Sequence, residues 1–435
     1  MKKYFTAFLV ILFLLSASYI RSQTINARFS TYFYTWNRLD SVTASGSETY
    51  TNHLQGYQNL LFDVSSKKWS FNTFLQTDED VVNKIGRGFG YRFYNLYVKG
   101  SNLFDNLLDL RIGRQFVAAG VYKGNTDGLY MKLKLGNNKE YQVIAYGGEL
   151  TPLTYEFGKY PKLQDNYTFG GQFLYYGVRN LMLGLSYSMK NRKPDSYYAL
   201  RADSLFNANE VLIETDSKAD QLAGLDFNYS FLNKHNFYGK AYFDVNRQKF
   251  SLGEFNTSIL VNKNIRFSAD FTYREPQISY NTIFWVFTHS TNKELEGGLD
   301  YLFDCGINVY GRVGNVFYDG DNSLKLQFGV SHSSYGISFI KYSGYSGASD
   351  GVNAYLSHEL IKSKLILSSN LNYSRYRLGT FSTEKLNAFA GSLGFTWRPE
   401  PRISVDAQGQ FITNEIYKYD TRFLVGFNYW LFSKF

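Results

Sequence analysis

Charged side chains recur at even spacing in two segments that lie close together in the sequence. The first segment carries three charges four residues apart and the second carries three acids, and these residues are Arg266, Asp270, Arg274, Glu294, Glu296 and Asp300. Successive side chains of a β-strand point to opposite faces, so even spacing places each set on one face. If the two strands are neighbours, a cross-strand ladder of ion pairs is the interpretation that we favour. The alternative is a charged row whose transverse field orients polar solutes.

The first of these segments has the alternating pattern of a β-strand with one apolar face. From Ile265 to Tyr273, odd positions are apolar and the even positions between them are polar or charged. About 22 segments of roughly nine to twelve residues repeat this pattern, and that length suits a tilted strand that crosses a bilayer. A count of about 20 strands stays open because residues 249–259 and 335–340 alternate poorly. Such strands place one face against lipid and the other toward a polar lumen.

The connections between these segments support the same fold independently. If the first strand runs outward, every second connection is short, as at residues 65–68 and 177–180. The intervening connections are mostly longer, notably 37–51 and 191–219. Outer-membrane barrels order their periplasmic turns and extracellular loops in this way. The sequence therefore predicts an all-β protein, a single antiparallel transmembrane β-barrel over residues 23–435 with an even number of strands and no plug domain.

Residues 1–22 have the pattern of a secretory signal peptide. Two lysines form a positive region, residues 7–15 are an unbroken apolar stretch, and small residues follow, so cleavage is expected between about residues 18 and 23. No later stretch approaches the roughly 18 consecutive apolar residues of a transmembrane helix. We therefore expect export through the inner membrane and localisation in the outer membrane of a Gram-negative-type cell.

Composition and charge narrow the function classes. Aromatic residues make up 19% of a chain that is polar on average, and barrel walls combine these properties because aromatic girdles border an alternating wall. The net charge is +9, but many basic residues lie in the short turns. A solvated rim that faces phosphate groups explains this charge without a nucleic-acid partner or an anion-selective pore. Cys305 is the only cysteine and no CxxCH motif occurs, so neither an intrachain disulfide nor a covalent haem is expected.

The polar faces of the predicted strands define the residues that would line the lumen and set its selectivity. Both signs of charge occur among them, and they are Asp109, Arg111, Lys132, Lys134, Lys240, Asp244, Arg266, Asp270, Arg274, Glu294, Glu296, Asp300, Arg312 and Lys325. The long connection after residue 275 is unusually apolar. Its candidate constriction residues are Ile283, Phe284, Trp285 and Phe287. We expect this loop to fold into the lumen or to contact a partner, and the alternative is that it extends the strands into the outer aromatic girdle.

The last thirteen residues have one apolar face and end in an aromatic residue. The apolar positions that define this segment include Phe423, Val425, Phe427, Tyr429 and Phe435. The segment resembles the C-terminal signature of bacterial outer-membrane β-barrels. That resemblance implies that the barrel-assembly machinery reads this strand, and it makes this machinery and the membrane lipids expected partners.

A second local resemblance concerns the segment from Leu110 to Gln115 and the Asp127-Gly128 pair that follows. A GRQ triplet that ends one strand, with an aspartate-glycine pair that opens the next, resembles a hairpin of alginate-export-type specific porins. The resemblance implies that Arg114, Gln115 and Asp127 help to form the outer mouth. Alternation instead places Arg114 on the lipid side, where it would be an interface anchor.

The sequence gives little indication of a set of catalytic residues. His289 beside Ser290 is the only arrangement worth considering, and adjacency in sequence is not a catalytic geometry. No two histidines have the spacing of metal ligands, so we expect no metal site, no cofactor and no enzyme. The favoured function is a passive channel for small hydrophilic solutes. The alternative is a sheath that holds a partner protein across the membrane, such as a periplasmic lipoprotein or the cytochrome of a porin-cytochrome electron conduit.

Overall fold

Alternating strands close into one antiparallel sheet in the computed structural model. The structure describes residues 23–434 except 41–48, 83–88, 158–159, 195, 203, 205, 215–217, 277–290, 345–347 and 378–383. The predicted signal peptide, the four candidate constriction residues of the apolar loop, and Phe435 therefore lie outside the described residues. No helix in the described part is long and apolar enough to cross a membrane.

Within the described residues, 22 strands form the wall and two form a separate hairpin. The wall strands are β1 Gln23–Asp40, β2 Thr49–Ser66, β3 Trp69–Val82, β4 Phe89–Asn102, β5 Leu108–Ala119, β6 Tyr122–Leu135, β7 Tyr141–Leu150, β8 Asn166–Tyr175, β9 Leu181–Arg192, β12 Asp220–Phe231, β13 His235–Asp244, β14 Lys249–Leu260, β15 Ile265–Arg274, β16 Asn292–Leu302, β17 Asn308–Tyr318, β18 Asp321–Ser331, β19 Tyr335–Gly344, β20 Ser349–Ile361, β21 Leu365–Tyr376, β22 Leu386–Glu400, β23 Ile403–Thr413 and β24 Tyr417–Lys434. The separate hairpin consists of β10 Tyr197–Ala202 and β11 Ala208–Ile213. A helical turn, Leu103–Asn106, connects β4 to β5.

The barrel closes between its first and last strands. β1 pairs with β2 on one side and with β24 on the other, from Thr24 opposite Lys434 to Asp40 opposite Tyr417. β9 pairs with β12, so the β10–β11 hairpin is an excursion from the wall. Closure leaves no free edge in the sheet, which a membrane requires because lipid cannot satisfy backbone polar groups. The predicted all-β barrel is confirmed, with 22 strands as the count.

The two faces of the wall differ as the alternation predicts. On β24, Phe423 is 54% exposed and Val425 and Phe427 are similarly exposed on the outside, whereas Asp420 and Asn428 are buried on the inside. Trp430, which breaks the apolar pattern of this segment, stands opposite the inward Arg28 of β1. Tyr429 shares the outer face with Phe427. The described part of the assembly segment is thus a wall strand with one lipid-compatible face.

β14 shows why one segment alternates poorly. Its pairing with β13 changes register between Tyr242 and Phe243, which leaves Ser251 as an extra residue in a bulge. A bulge shifts the faces of the residues on either side of it relative to each other. Glu254 therefore faces the lumen, where it contacts Lys240, although poor alternation concealed its orientation in the sequence.

Connection lengths define two ends of the barrel. Turns such as residues 67–68 and 362–364 lie at one end, which we call the short-turn end, and connections such as 151–165 and 193–219 lie at the other, the long-loop end. Buried hydrophobic packing is concentrated inside the long-loop half. It involves side chains of β5–β8, namely Val117, Ala119, Tyr122, Tyr130, Ile144, Tyr146, Leu150 and Leu174. A buried cluster inside a barrel requires an element that covers the inner wall.

Candidate functional site

The element that covers the inner wall is the tip of the β5–β6 hairpin. Pairing of β5 with β4 ends at Arg114 opposite Leu96, and pairing of β6 with β7 ends at Thr126 opposite Leu150. β5 and β6 nevertheless stay paired with each other as far as Ala119 and Tyr122. Residues 115–125 therefore leave the wall as a hairpin, which we call the constriction hairpin.

The constriction hairpin folds against the inner faces of β8, β9, β12 and β13. The Val121 amide donates a hydrogen bond to Ser186 Oγ at 3.1 Å, and the Tyr242 hydroxyl donates to the Gly120 carbonyl at 3.3 Å. Val117 is 0% exposed, and Tyr122 stacks on Tyr146 of β7 with 4.7 Å between ring centres. Apolar burial and hydrogen bonds thus fix the hairpin inside the lumen.

Three glycines in cross-strand register form the bend from which the hairpin departs. Gly113 of β5 stands opposite Gly128 of β6, which stands opposite Gly148 of β7. Gly113 has a φ of 122°, and a Cβ atom at Gly128 would lie 2.2 Å from the carbonyl oxygen of Gly147. The neighbouring backbones therefore approach more closely than any side chain allows, which is a recognised use of glycine within a strand. Gly113 belongs to the GRQ triplet and Gly128 to the aspartate-glycine pair, so both motifs contribute to this bend.

Gly128→Ala is expected to destabilise the folded barrel by about 1–3 kcal/mol, because the added methyl group must displace backbone atoms. Gly297→Ala is the matched control, since a Cβ atom there meets nothing within 4 Å. Urea titration of each variant refolded into lipid vesicles measures the difference. Equal stability of the two variants would contradict the close approach at Gly128.

A buried ion pair locks the bend. Arg114 stands opposite Asp127 and donates two parallel hydrogen bonds to it, Nε to Oδ1 at 2.9 Å and Nη2 to Oδ2 at 2.7 Å. Arg114 Nη1 also donates to the carbonyl oxygens of Tyr155 at 2.6 Å and Phe93 at 3.1 Å. Its guanidinium carbon lies 4.1 Å from the centre of the Phe157 ring. Bidentate geometry makes this one of the stronger classes of charged contact.

The loop between β7 and β8 completes the lock. Thr151 donates to Asp127 Oδ1 at 2.9 Å, and the Tyr160 hydroxyl donates to Asp127 Oδ2 at 2.5 Å. Burial, with the Asp127 carboxylate acting in the same direction, raises the pKa of Tyr160 to about 12, so this hydroxyl remains a donor at neutral pH. The loop also occupies the gap that the hairpin leaves in the wall, because the Phe93 amide donates to the Tyr155 carbonyl at 3.1 Å.

The location of Arg114 corrects its interpretation as a lipid interface anchor. Its position in β5 is on the outward side, as alternation predicts, but the loop of residues 151–157 and Tyr160 cover it. Only 2% of the residue is exposed. Alternation identifies the side of a strand on which a residue lies, but it carries no information about a distant loop that covers that side.

The predicted charged residues of β15 and β16 are neighbours in the sheet. Arg266 stands opposite Asp300, and Asp270 stands opposite Glu296. Asp300 nevertheless pairs with Arg312 of β17 at 3.0 Å. The remaining lumen contacts in this region are Lys325 with Glu296 at 2.5 Å and with Glu294 at 3.1 Å, Lys240 with Glu254 at 2.6 Å, Arg274 with Glu254 at 3.7 Å, and Asn256 Nδ2 donating to Asp270 at 2.6 Å. An ion-pair network therefore extends over β13–β18, and most partners of β16 come from β17 and β18 instead of β15.

The other predicted lumen residues lie on β5, β6 and β13, and Asp109 and Lys134 lie at the short-turn end. Lys134 pairs with Asp109 at 2.7 Å, and Arg111 lies over the Tyr130 ring at 3.8 Å from its centre. Lys132 stands opposite Asp109 in the β5–β6 register. Asp244 accepts hydrogen bonds from the backbone amides of residues 246 and 247, so it stabilises the β13–β14 turn.

Two cavities flank the tip of the constriction hairpin, and Lys123 lines both of them. One, of about 530 Å³, is lined by paired charges that include Lys240 and Glu254. The other, of about 620 Å³, is lined by Arg192 and Lys218 among others. The tip thus stands between two polar spaces at the long-loop end. The signal for this arrangement in the sequence was the pair of short motifs that contain Gly113 and Gly128.

Comparisons with known proteins extend only to the fold. No protein-family model matches the sequence, and no curated protein matches it. A mutant of the ferric enterobactin receptor PfeA from Pseudomonas aeruginosa is similar with a TM-score of 0.57 and 8% identity, over 93% of this chain and 80% of that one. OccAB4 of Acinetobacter baumannii has a TM-score of 0.44 at 10% identity over 94% and 98% of the two chains. A BenF-like porin from Pseudomonas fluorescens Pf-5 has a TM-score of 0.42 at 8% identity, over 94% of this chain and 99% of that one. Of these three TM-scores only the first exceeds 0.5, and the chain is therefore similar in fold to that receptor.

Proposed function

We propose that this protein is an outer-membrane channel for the passive passage of small hydrophilic solutes, narrowed by the constriction hairpin. The supporting observation is that this hairpin is packed onto the inner wall, with its own Val117 fully buried. A wide barrel without a plug needs an internal element to restrict its bore, because diameter grows with strand number. The polar inner wall can replace part of the hydration shell of a solute that passes beside the hairpin.

The alternative of a sheath around a partner protein is less well supported. A partner that crosses the lumen would have to share it with the constriction hairpin and its buried cluster. The lock formed by Arg114 and Asp127 holds the hairpin through contacts within this chain. Reading of the last strand by the assembly machinery remains a prediction.

The resemblance to alginate-export-type porins also remains a prediction, but its residues have a physical role here. The glycines of the two short motifs form the bend, and Arg114 with Asp127 forms the lock. Gln115 is fully buried beside them and donates to the Gly128 carbonyl at 3.2 Å. We infer that these residues position a constriction without contacting the solute.

Shortening the constriction hairpin tests the proposed function. Residues 117–124 are replaced by Asn-Gly, which joins the paired residues Phe116 and Asn125 through a two-residue turn. Removal of the tip is expected to raise the single-channel conductance of the purified protein in planar bilayers several-fold. The matched control replaces residues 199–211 by Asn-Gly between the paired residues Tyr198 and Leu212, outside the wall, and should leave conductance unchanged. Absence of conductance in the folded wild-type barrel would overturn the channel, and an unchanged conductance in the shortened variant would overturn the constriction.

A further inference from the structure

A concave site lies on the inner wall away from the constriction hairpin. It is a cavity of about 330 Å³ formed by β1–β4 and β24. The residues that line it come from the beginning of β1 and β3 and from the end of β2, β4 and β24, so it lies toward the short-turn end. None of its residues belongs to the ion-pair network of β13–β18.

Sheet register arranges the lining side chains in two rows on the lumen face. In the first row Asn26 stands opposite Asp63, which stands opposite Asn72, which stands opposite Tyr97. In the second row the register connects Trp430, Arg28, Leu61, Phe74 and Asn95 across five strands. Cross-strand neighbours share a face, so all of these side chains belong to one surface. The site therefore interleaves three aromatic rings with amide and charged groups.

The polar groups of this site have unused hydrogen-bonding capacity. Arg28 Nε is buried and has no hydrogen-bond partner in the described part of the chain. Within the same part, the side chains of Asn26, Asp63 and Asn95 make no hydrogen bonds, and Asn72 uses one amide hydrogen to reach Ser70 Oγ at 3.1 Å. Unpaired polar groups favour a ligand that offers both donors and acceptors.

The balance of charge and rings narrows the class of that ligand. Arg28 and Asp63 are its only charged side chains among the described lining residues, one of each sign. A neutral solute is therefore favoured over an ion. The rings of Phe74, Tyr97 and Trp430 provide apolar faces for C–H groups, while amides, carboxylate and guanidinium can bond to hydroxyl groups. A volume of about 330 Å³ is at the small end of ligand sites.

We propose that this cavity, which we call the saccharide pocket, binds one ring of a neutral saccharide as it passes through the barrel. The inference rests on the proposed channel function and names its solute class. Sugars present hydroxyl groups around the edge of a ring that has apolar C–H faces, which matches the two rows of the pocket. The contrasting cavity at the long-loop end, where Lys123, Arg192 and Lys218 meet, favours an anion instead.

Ion-current block in planar bilayers tests the saccharide pocket with two probes of the same ring and different charge. Glucose is expected to interrupt the current through the purified wild-type barrel at lower concentrations than glucuronate. Trp430→Ala should weaken the glucose block by about tenfold, the loss expected for one ring contact. Tyr310→Ala, a variant on β17 across the barrel, is the matched control. Glucose should block the current through this variant as it does through the wild type.

A second variant, which changes charge, tests the pocket even if Trp430→Ala does not fold. Asp63→Asn preserves the shape of the pocket and removes the only carboxylate among its described lining residues, so it should shift the preference toward glucuronate. A stronger block of the wild type by glucuronate, abolished by Lys123→Gln, would place the solute site at the long-loop end and overturn the saccharide pocket. A conducting barrel that neither probe blocks would overturn this inference alone, whereas a folded barrel that does not conduct would overturn the proposed function.

Discussion

Replacing Arg114 by alanine is expected to lower the free energy of unfolding by about 3–5 kcal/mol, the usual cost of removing one partner of a buried ion pair. The variant leaves the Asp127 carboxylate, whose side chain is 16% exposed, without its bidentate partner. It also removes the donors that hold the carbonyl groups of Tyr155 and Phe93. The bend, the constriction hairpin and the loop that fills the wall would lose their common contact.

The Arg114 prediction has a conservative variant and a matched control. Arg114→Lys keeps the charge but cannot form the two parallel hydrogen bonds, so an intermediate loss is expected. Lys263→Ala removes a pair with Asp304 at 3.0 Å in which both side chains are largely exposed, and it should change stability little. Urea titration in lipid vesicles measures all three variants. Single-channel recordings should also show a noisier open current for Arg114→Ala, because the hairpin is released; a loss no larger than that of Lys263→Ala would refute the lock.

A second large effect is expected from arginine on the two faces of β15. Phe271 is 41% exposed on the outer face, and Phe271→Arg should cost about 2–4 kcal/mol, as arginine does when it faces the hydrocarbon centre. Thr272 follows it on the inner face, where the register places it between Glu254 and Glu294. Thr272→Arg should therefore leave the barrel stable and shift its selectivity toward anions.

Refolding titrations and reversal potentials across a salt gradient separate the two β15 variants. The substituted positions are adjacent and receive the same side chain, so each is the control for the other. Similar destabilisation by both would mean that β15 is not oriented with Phe271 toward lipid. A stable Thr272→Arg barrel with an unchanged reversal potential would mean that Thr272 does not face the conducting path.

Local alternation determined the class of fold and the faces of most strands. In β15 and β24 successive residues point to opposite faces of the sheet. A sequence of about ten residues is therefore enough to assign the face of each residue. The same rule failed in β14, where Ser251 adds one residue to the strand and changes the face of Glu254. A bulge depends on the partner strand, and the sequence of one strand does not report it.

The choice of partners in the ion pairs could not be predicted from the sequences of neighbouring strands. The sequence indicated that β15 and β16 carry opposite charges, and their register places Arg266 opposite Asp300. The choice of Arg312 as the partner of Asp300 depends on side-chain reach across a third strand. Lumen charges compete for partners over the whole inner surface, so neighbouring positions alone do not decide the pairs.

The constriction was decided by tertiary structure alone. Residues 115–125 remain strands paired with each other, and this pairing is the same for a hairpin in the wall as for one inside the lumen. The decision depends on glycines that meet in register on three strands, on the lock between Arg114 and Asp127, and on packing against β9 and β13. The sequence by itself determined a lipid-facing and a water-facing side, because alternation is a property of neighbouring residues. It did not determine what fills the lumen, because those contacts join residues that lie between 13 and 122 positions apart and belong to different strands.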